Sequence, residues 1–268
     1  MNRKKIFRWI KILIIIYCLA GIAVYFFQDE LLFHPTALPK DHRYNFSEPH
    51  TEVNIPYDAT STMNLVQFQA ADTPVRGVVL YFHGNRENIS RYAKFAPFFT
   101  KHGYEVWMLD YPGFGKSTGE FTEQRLYDWA LTTYKLARVQ FSPDSIVIYG
   151  KSLGTGMAAQ LASVRDCKYL LLETPYYSFS AALSQYAPIY PYDRMIKYKF
   201  PIYKYLQQVT APVIMFHGTD DGVITYRNAS KLKPFLKKQD EFITIEGGSH
   251  NDLSTFDAYK TKIDSLFR

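Results

Sequence analysis

Apolar runs of five or six residues alternate along this chain with longer stretches in which apolar side chains return every three or four positions. Continuous runs such as Val78-Val79-Leu80-Tyr81-Phe82 and Ile146-Val147-Ile148-Tyr149 predict strands buried on both faces, and the longer period predicts amphipathic helices. On that reading strands lie near 51–56, 64–70, 76–82, 104–109, 145–149, 168–173, 212–216 and 241–246. Helices lie near 88–102, 122–139, 153–164, 225–237 and 252–266, the second opening on Thr122-Glu123 as cap and early acid. From residue 76 onward strand and helix alternate, which predicts an α/β class with a mostly parallel central sheet, helices on both faces and the site at the carboxyl ends of the strands. Residues 176–208 interrupt the alternation. They are too many for a bare loop and rich in Tyr and Phe, so they read as an insertion: a packed helix pair or an aromatic wall over the site.

The amino-terminal pattern differs. Sixteen uncharged residues, Ile12 to Phe27, follow a segment carrying Arg3, Lys4, Lys5, Arg8 and Lys11. The run reaches the lower bound for a membrane span once Ile10 and the stem of Lys11 are counted. A cleaved signal peptide is the rival, but no clean small-x-small site follows the run. The chain therefore divides into a signal anchor (1–28), a Pro-containing link (29–50) and a catalytic domain (51–268) carrying the insertion. Basic residues before the span and Asp29 and Glu30 after it put the amino terminus in the cytoplasm and the domain on the far side of a single-pass membrane segment.

Composition changes this picture little. The 268 residues suffice for one large core, and the net charge of +6 comes largely from the basic start and favours an anionic membrane surface. The other Lys and Arg are scattered among acids, which argues against nucleic acid as a partner. Cys18 and Cys167, one in the span and one before a core strand, do not suggest a disulfide.

Candidate chemistry centres on Gly150-Lys151-Ser152-Leu153-Gly154, set between a strand run and the small-residue stretch Thr155-Gly156-Met157-Ala158-Ala159. In a G-x-S-x-G turn the serine occupies a tight conformation that larger flanking residues would obstruct, and its hydroxyl stands above the strand edge. A serine hydroxyl is a weak nucleophile at neutral pH, so it needs a histidine to take its proton and a carboxylate to orient that histidine. Downstream, the strand 212–216 leads into His217-Gly218-Thr219-Asp220-Asp221, which offers two carboxylates. The strand 241–246 leads into Gly248-Ser249-His250-Asn251-Asp252, which offers His250 as the base. His83 and His217, each beside a loop glycine, read as structural hydrogen bonders.

These motifs, with Tyr81-Phe82-His83-Gly84-Asn85 and the turn Asp110-Tyr111-Pro112-Gly113-Phe114-Gly115-Lys116-Ser117, resemble the α/β-hydrolase superfamily of serine hydrolases, in particular its membrane-anchored Bem-type branch, over residues 50–268. The resemblance implies an α/β-hydrolase fold with a small cap at 176–208 and a catalytic triad of Ser152, Asp221 and His250. Asp220 is the alternative acid. It further implies an oxyanion hole from the Asn85 and Leu153 amides, and a packing role for Tyr111 in preference to a catalytic one. No metal and no cofactor is called for.

The expected activity is hydrolysis of carboxylic esters or thioesters, the substrates being small-molecule or lipid acyl esters. Protein partners are not specified by the sequence. A serine peptidase or amidase of the same fold is the enzymatic alternative, and a catalytically silent binding protein is the alternative from another class.

Overall fold

In a computed structural model that describes residues 3–71 and 74–268, all eight expected strands form one sheet. They are β1 (His50–Pro56), β2 (Thr62–Phe68), β3 (Gly77–Phe82), β4 (Tyr104–Asp110), β5 (Ile146–Lys151), β6 (Tyr169–Glu173), β7 (Val213–Gly218) and β8 (Glu241–Ile245). Their spatial order is β8-β7-β6-β5-β3-β4-β2-β1. β1 with β2 and β2 with β4 are antiparallel, and every other pair is parallel. Strand order reverses around β3, which has β4 on one side and β5 on the other. The carboxyl ends of β3 and β5 therefore open a crevice.

The central strands have no exposed face. Every residue of β3, β5 and β7 is buried, as their unbroken apolar runs require. One layer of core packs on α2 (Glu123–Ala137) and α3 (Gly154–Val164), and the other on α4 (Asp257–Phe267) and the short helices after β3. Thr122 caps α2, its hydroxyl accepting from the Arg125 N–H at 3.2 Å.

Several expected helices are shorter than the periodicity suggested. The stretch 88–102 is broken into Ile89–Tyr92, a 3₁₀ turn at Ala93–Phe95 and Pro97–Thr100. Pro97 has no N–H to continue the helix and instead starts the next turn. The stretch 225–237 reduces to Tyr226–Ser230 and a 3₁₀ turn at Lys233–Phe235.

The amino-terminal helix α1 (Arg3–Phe26) buries none of its residues and is long and apolar enough to cross a membrane, a property a signal sequence shares. Met1 and Asn2 lie outside the described residues. The expected link 29–50 is not a free tether. Phe33 is 6% exposed in the core, His34–Pro35 pairs in parallel with Arg86–Glu87, and Tyr44 donates to Asn64 Oδ1 at 3.0 Å and Asp110 Oδ2 at 3.2 Å. Its sequence resembles a linker because its contacts are a few aromatic anchors and backbone bonds, which produce no periodic pattern.

Candidate active site

Ser152 stands at the turn between β5 and α3 with φ of +50°, in the left-handed region that L side chains rarely adopt. The flanking glycines make that turn possible. A Cβ on Gly154 would collide with the Phe82 carbonyl at the end of β3, and one on Gly150 would collide with the Gly154 carbonyl. The Ser152 N–H donates to Glu173 O at 2.9 Å, which ties the turn to β6.

Two loops at the same end of the sheet supply the other polar groups. His250, after β8, has Nδ1 2.8 Å from Asp221 Oδ2 and Nε2 2.9 Å from Ser152 Oγ. With Nδ1–H given to the carboxylate, Nε2 is left to accept the serine proton. The second Asp221 oxygen accepts from the Val223 and Ile224 amides, each at 2.8 Å, so both oxygens are held. Burial pushes the Asp221 carboxyl up, yet the His250 hydrogen bond and charge, the Ile224 N–H and the nearby His217 hold it below the ordinary aspartate value. Asp220, one residue earlier, turns away and is within 3.2 Å of the Thr219 hydroxyl. Of the two carboxylates open in the sequence, Asp221 is the one brought to His250.

His83 and His217 are fully buried beside the site. His217 places Nδ1 3.0 Å from Gly218 O and Nε2 3.6 Å from Asp221 Oδ2. Burial lowers its pKa, opposed by the Asp221 charge. His83 bonds to Gly84 O at 2.7 Å, has Asp110 Oδ1 3.3 Å away, and stacks on Tyr92 and Tyr111. Tyr111 donates to His83 O at 2.7 Å, so its hydroxyl is spent on packing the turn.

Asn85 and Leu153 both line the cavity that Ser152 and His250 also border. The Asn85 side chain donates to Leu32 O, so the segment after α1 holds this loop in place. The cavity encloses about 350 Å³. Its lining includes apolar side chains of the cap (Phe179, Leu183, Tyr186) with Leu31 and Ile224, and also Arg86, Arg91 and His34, while no Asp or Glu among the described residues lines it.

The cap is three short helices, Phe179–Ser184, Tyr192–Met195 and Ile202–Tyr205. Only the first faces the cavity. Tyr190, in the segment read from sequence as a helix pair or an aromatic wall, stacks on Tyr17 of α1 at 4.7 Å, with Pro188 and Pro191 on either side of it. Lys197 pairs with Asp29 at 3.0 Å, and Lys199 donates to the Asp193 and Ile196 carbonyls.

One feature of the site escaped the sequence reading. Lys151, the residue before the serine, is buried and ion-paired with Glu173 at the end of β6, and Glu173 also accepts from Tyr149, which bonds to Tyr259 at 2.8 Å. Lys151 Nζ is 3.4 Å from the His250 carbonyl. The only trace in the sequence was a charge at the end of each of two otherwise apolar adjacent strands.

Comparison with known proteins agrees with this architecture. A family model described as serine aminopeptidase, S33, a hydrolase family, matches residues 73–190. Alpha/beta hydrolase domain-containing protein 17C of Xenopus tropicalis is 28% identical over 192 residues, 70% of this chain and 60% of its own length. The human 17B protein is 26% identical over 69% of this chain and 64% of its own. The chain thus spans about three fifths of the length of these relatives. An esterase of Pyrococcus furiosus superposes with a TM-score of 0.67 at 16% identity, covering 87% of this chain and 96% of that one. A cold-adapted esterase from an Arctic intertidal metagenomic library gives 0.63 at 18%, covering 87% and 98%. At such identities these two structures speak for the fold alone.

Proposed function

For this chain, which has the α/β-hydrolase fold, we propose membership of the α/β-hydrolase superfamily and the activity of a serine hydrolase that cleaves carboxylic esters or thioesters of lipid-like acyl groups. The observation that carries the reading is the unbroken hydrogen-bonded series Asp221, His250, Ser152 at the mouth of the cavity. Ser152 Oγ attacks the acyl carbon as its proton passes to His250 Nε2. The Asn85 and Leu153 amides hold the oxyanion, and Asp221 stabilises the imidazolium. The tetrahedral intermediate collapses with the proton delivered to the leaving alcohol or thiol, which leaves an acyl-enzyme. Water then repeats the sequence and releases the carboxylic acid.

The description serine aminopeptidase favours amide hydrolysis as a second reading. An aminopeptidase must hold a protonated amine, for which a carboxylate in the pocket is the natural partner, and this cavity is bordered by Arg86 and Arg91 instead. We also assign α1 as a single-pass anchor with its amino terminus in the cytoplasm and the catalytic domain on the other side, on the strength of its length and basic flank.

A fluorophosphonate probe should label the wild-type chain and not Ser152→Ala. Absence of labelling in folded wild-type protein would overturn the activity. Faster turnover of aminoacyl p-nitroanilides than of p-nitrophenyl esters would replace ester hydrolysis with amide hydrolysis.

A further inference from the structure

The cap's outermost segment lies along α1, well inside that helix and not at its end. Tyr190 stacks on Tyr17 with rings 4° from parallel, and its hydroxyl donates to Tyr17 O at 3.0 Å. The Tyr17 hydroxyl donates back to Ile189 O at 3.1 Å. Gly21 leaves the space this approach needs, since a Cβ there would sit 3.2 Å from the Tyr190 ring. Tyr17 precedes the end of α1 at Phe26 by nine residues, which at the helical rise of ~1.5 Å per residue is about 13 Å along the axis. Half the hydrocarbon thickness of a bilayer is about 15 Å. Where α1 crosses a membrane, the segment beside Tyr17 is within the acyl layer too.

The composition of that segment suits such a place. Residues 186–192 read Tyr-Ala-Pro-Ile-Tyr-Pro-Tyr, without a charge. Pro188 and Pro191 have no N–H, and the amides of Tyr186, Tyr190 and Tyr192 are taken up by the carbonyls of Leu183, Ala187 and Tyr190. Irregular backbone is tolerated at membrane depth only when its polar groups are satisfied within the protein, and here most are. Ile189 is nevertheless 66% exposed and Tyr186 63%, a poor arrangement in water and a normal one in lipid. Charges resume directly after the segment, at exposed Asp193 and Arg194, and beyond the end of α1 Lys197 and Tyr198 both bond to Asp29.

We propose that residues 186–192 are a second membrane-inserted element, a loop seated in the acyl layer of the bilayer against α1. This deepens the proposed function and rests on reading α1 as a membrane span. Tyr186 belongs both to this loop and to the cavity lining, which it shares with Leu31, and both are more than half exposed, so the cavity opens beside the inserted loop toward the acyl layer. An acyl chain reaches Ser152 from the leaflet without crossing water.

The test uses the full chain with Cys18→Ser in phosphatidylcholine and phosphatidylglycerol nanodiscs. A nitroxide is attached at Ile189→Cys in the loop, Leu13→Cys on α1, or Val139→Cys, an 81% exposed position outside the cap and α1. Cys167 is buried with its thiol pushed up to about 12, which keeps it from reacting. Collision rates with oxygen, which concentrates in lipid, and with a water-soluble nickel chelate report each label's surroundings. The oxygen-to-nickel ratio at 189 should match that at 13 and exceed that at 139 several-fold. A ratio at 189 equal to that at 139, with 13 still high, places the loop in water and overturns the proposal while leaving the anchor intact. Low ratios at both 13 and 189 overturn the anchor and the loop together. Turnover of a p-nitrophenyl ester by each labelled chain verifies its fold, and Ala187→Cys replaces Ile189→Cys if that variant is inactive.

Discussion

The loops of the proposed triad and the cap border one cavity and are built in opposite ways. On the triad side each functional side chain follows a strand of the central sheet within a few residues, and its polar atoms are paired: both Asp221 oxygens, both His250 nitrogens, the Ser152 amide. On the cap side the helices are four to six residues long and large apolar side chains remain exposed. A proton relay tolerates errors of a fraction of an ångström and needs a rigid sheet behind it. An apolar wall needs only area, so it can be assembled from short pieces.

The sharpest break of that contrast is at the triad. Ser152→Ala or His250→Ala should lower kcat by about 10⁴-fold or more with the far-ultraviolet spectrum unchanged, since the members act as a unit. Asp221→Asn should approach that loss. Asp220→Asn should stay within a few-fold of wild type, and a reversal between the two aspartates would show that His250 takes its orientation from the other carboxylate.

Next comes the buried pair beneath the serine. Lys151→Met leaves the Glu173 carboxylate enclosed without its counter-charge and should cost about 3–5 kcal/mol in urea unfolding. Adding Glu173→Gln should return most of it, because the amide still accepts from Tyr149 and carries no charge to bury. No recovery in the double variant would mean that packing of the lysine stem is what Lys151 supplies.

On the cap side the effects should be smaller and selective. Each methylene buried in the cavity contributes about 0.8 kcal/mol, so kcat/KM should rise with acyl length until the cavity fills. Phe179→Ala or Tyr186→Ala should flatten that rise several-fold for medium chains and spare acetate. Tyr190→Ala should leave the chain-length profile of a soluble ester unchanged, since its ring lies on α1. A profile flattened by Tyr190→Ala and not by Tyr186→Ala would reverse the assignment of the two tyrosines.

The smallest expected effect is a pH slope. His217 has its folded pKa lowered by burial, so its contribution to stability is complete above about 6.5, the ordinary histidine value, and is lost as pH falls from there through the folded value. Wild-type stability should decline in that window by up to about 1.4 kcal/mol per pH unit on this account. His217→Asn should remove that part of the decline, and equal slopes in the two proteins would assign it elsewhere.

Much of this molecule is written in local sequence. The central strands follow from apolar runs that cannot face water, and the edge strands β1 and β8 from alternating segments. Ser152 follows from two glycines, Gly150 needed for the tight turn itself and Gly154 for its close approach to the end of β3, and α1 follows from an uncharged run behind five basic residues. Asp221 over Asp220, Lys151 against Glu173, the docking of residues 29–50 and the turning of Tyr190 from the cavity to α1 were decided by the tertiary structure. Each of these depends on which of several chemically similar groups meets a partner 20 to 173 positions away. Periodicity reports the environment of one segment, whereas a hydrogen bond or ion pair between segments is set by the register and direction with which the sheet brings them together.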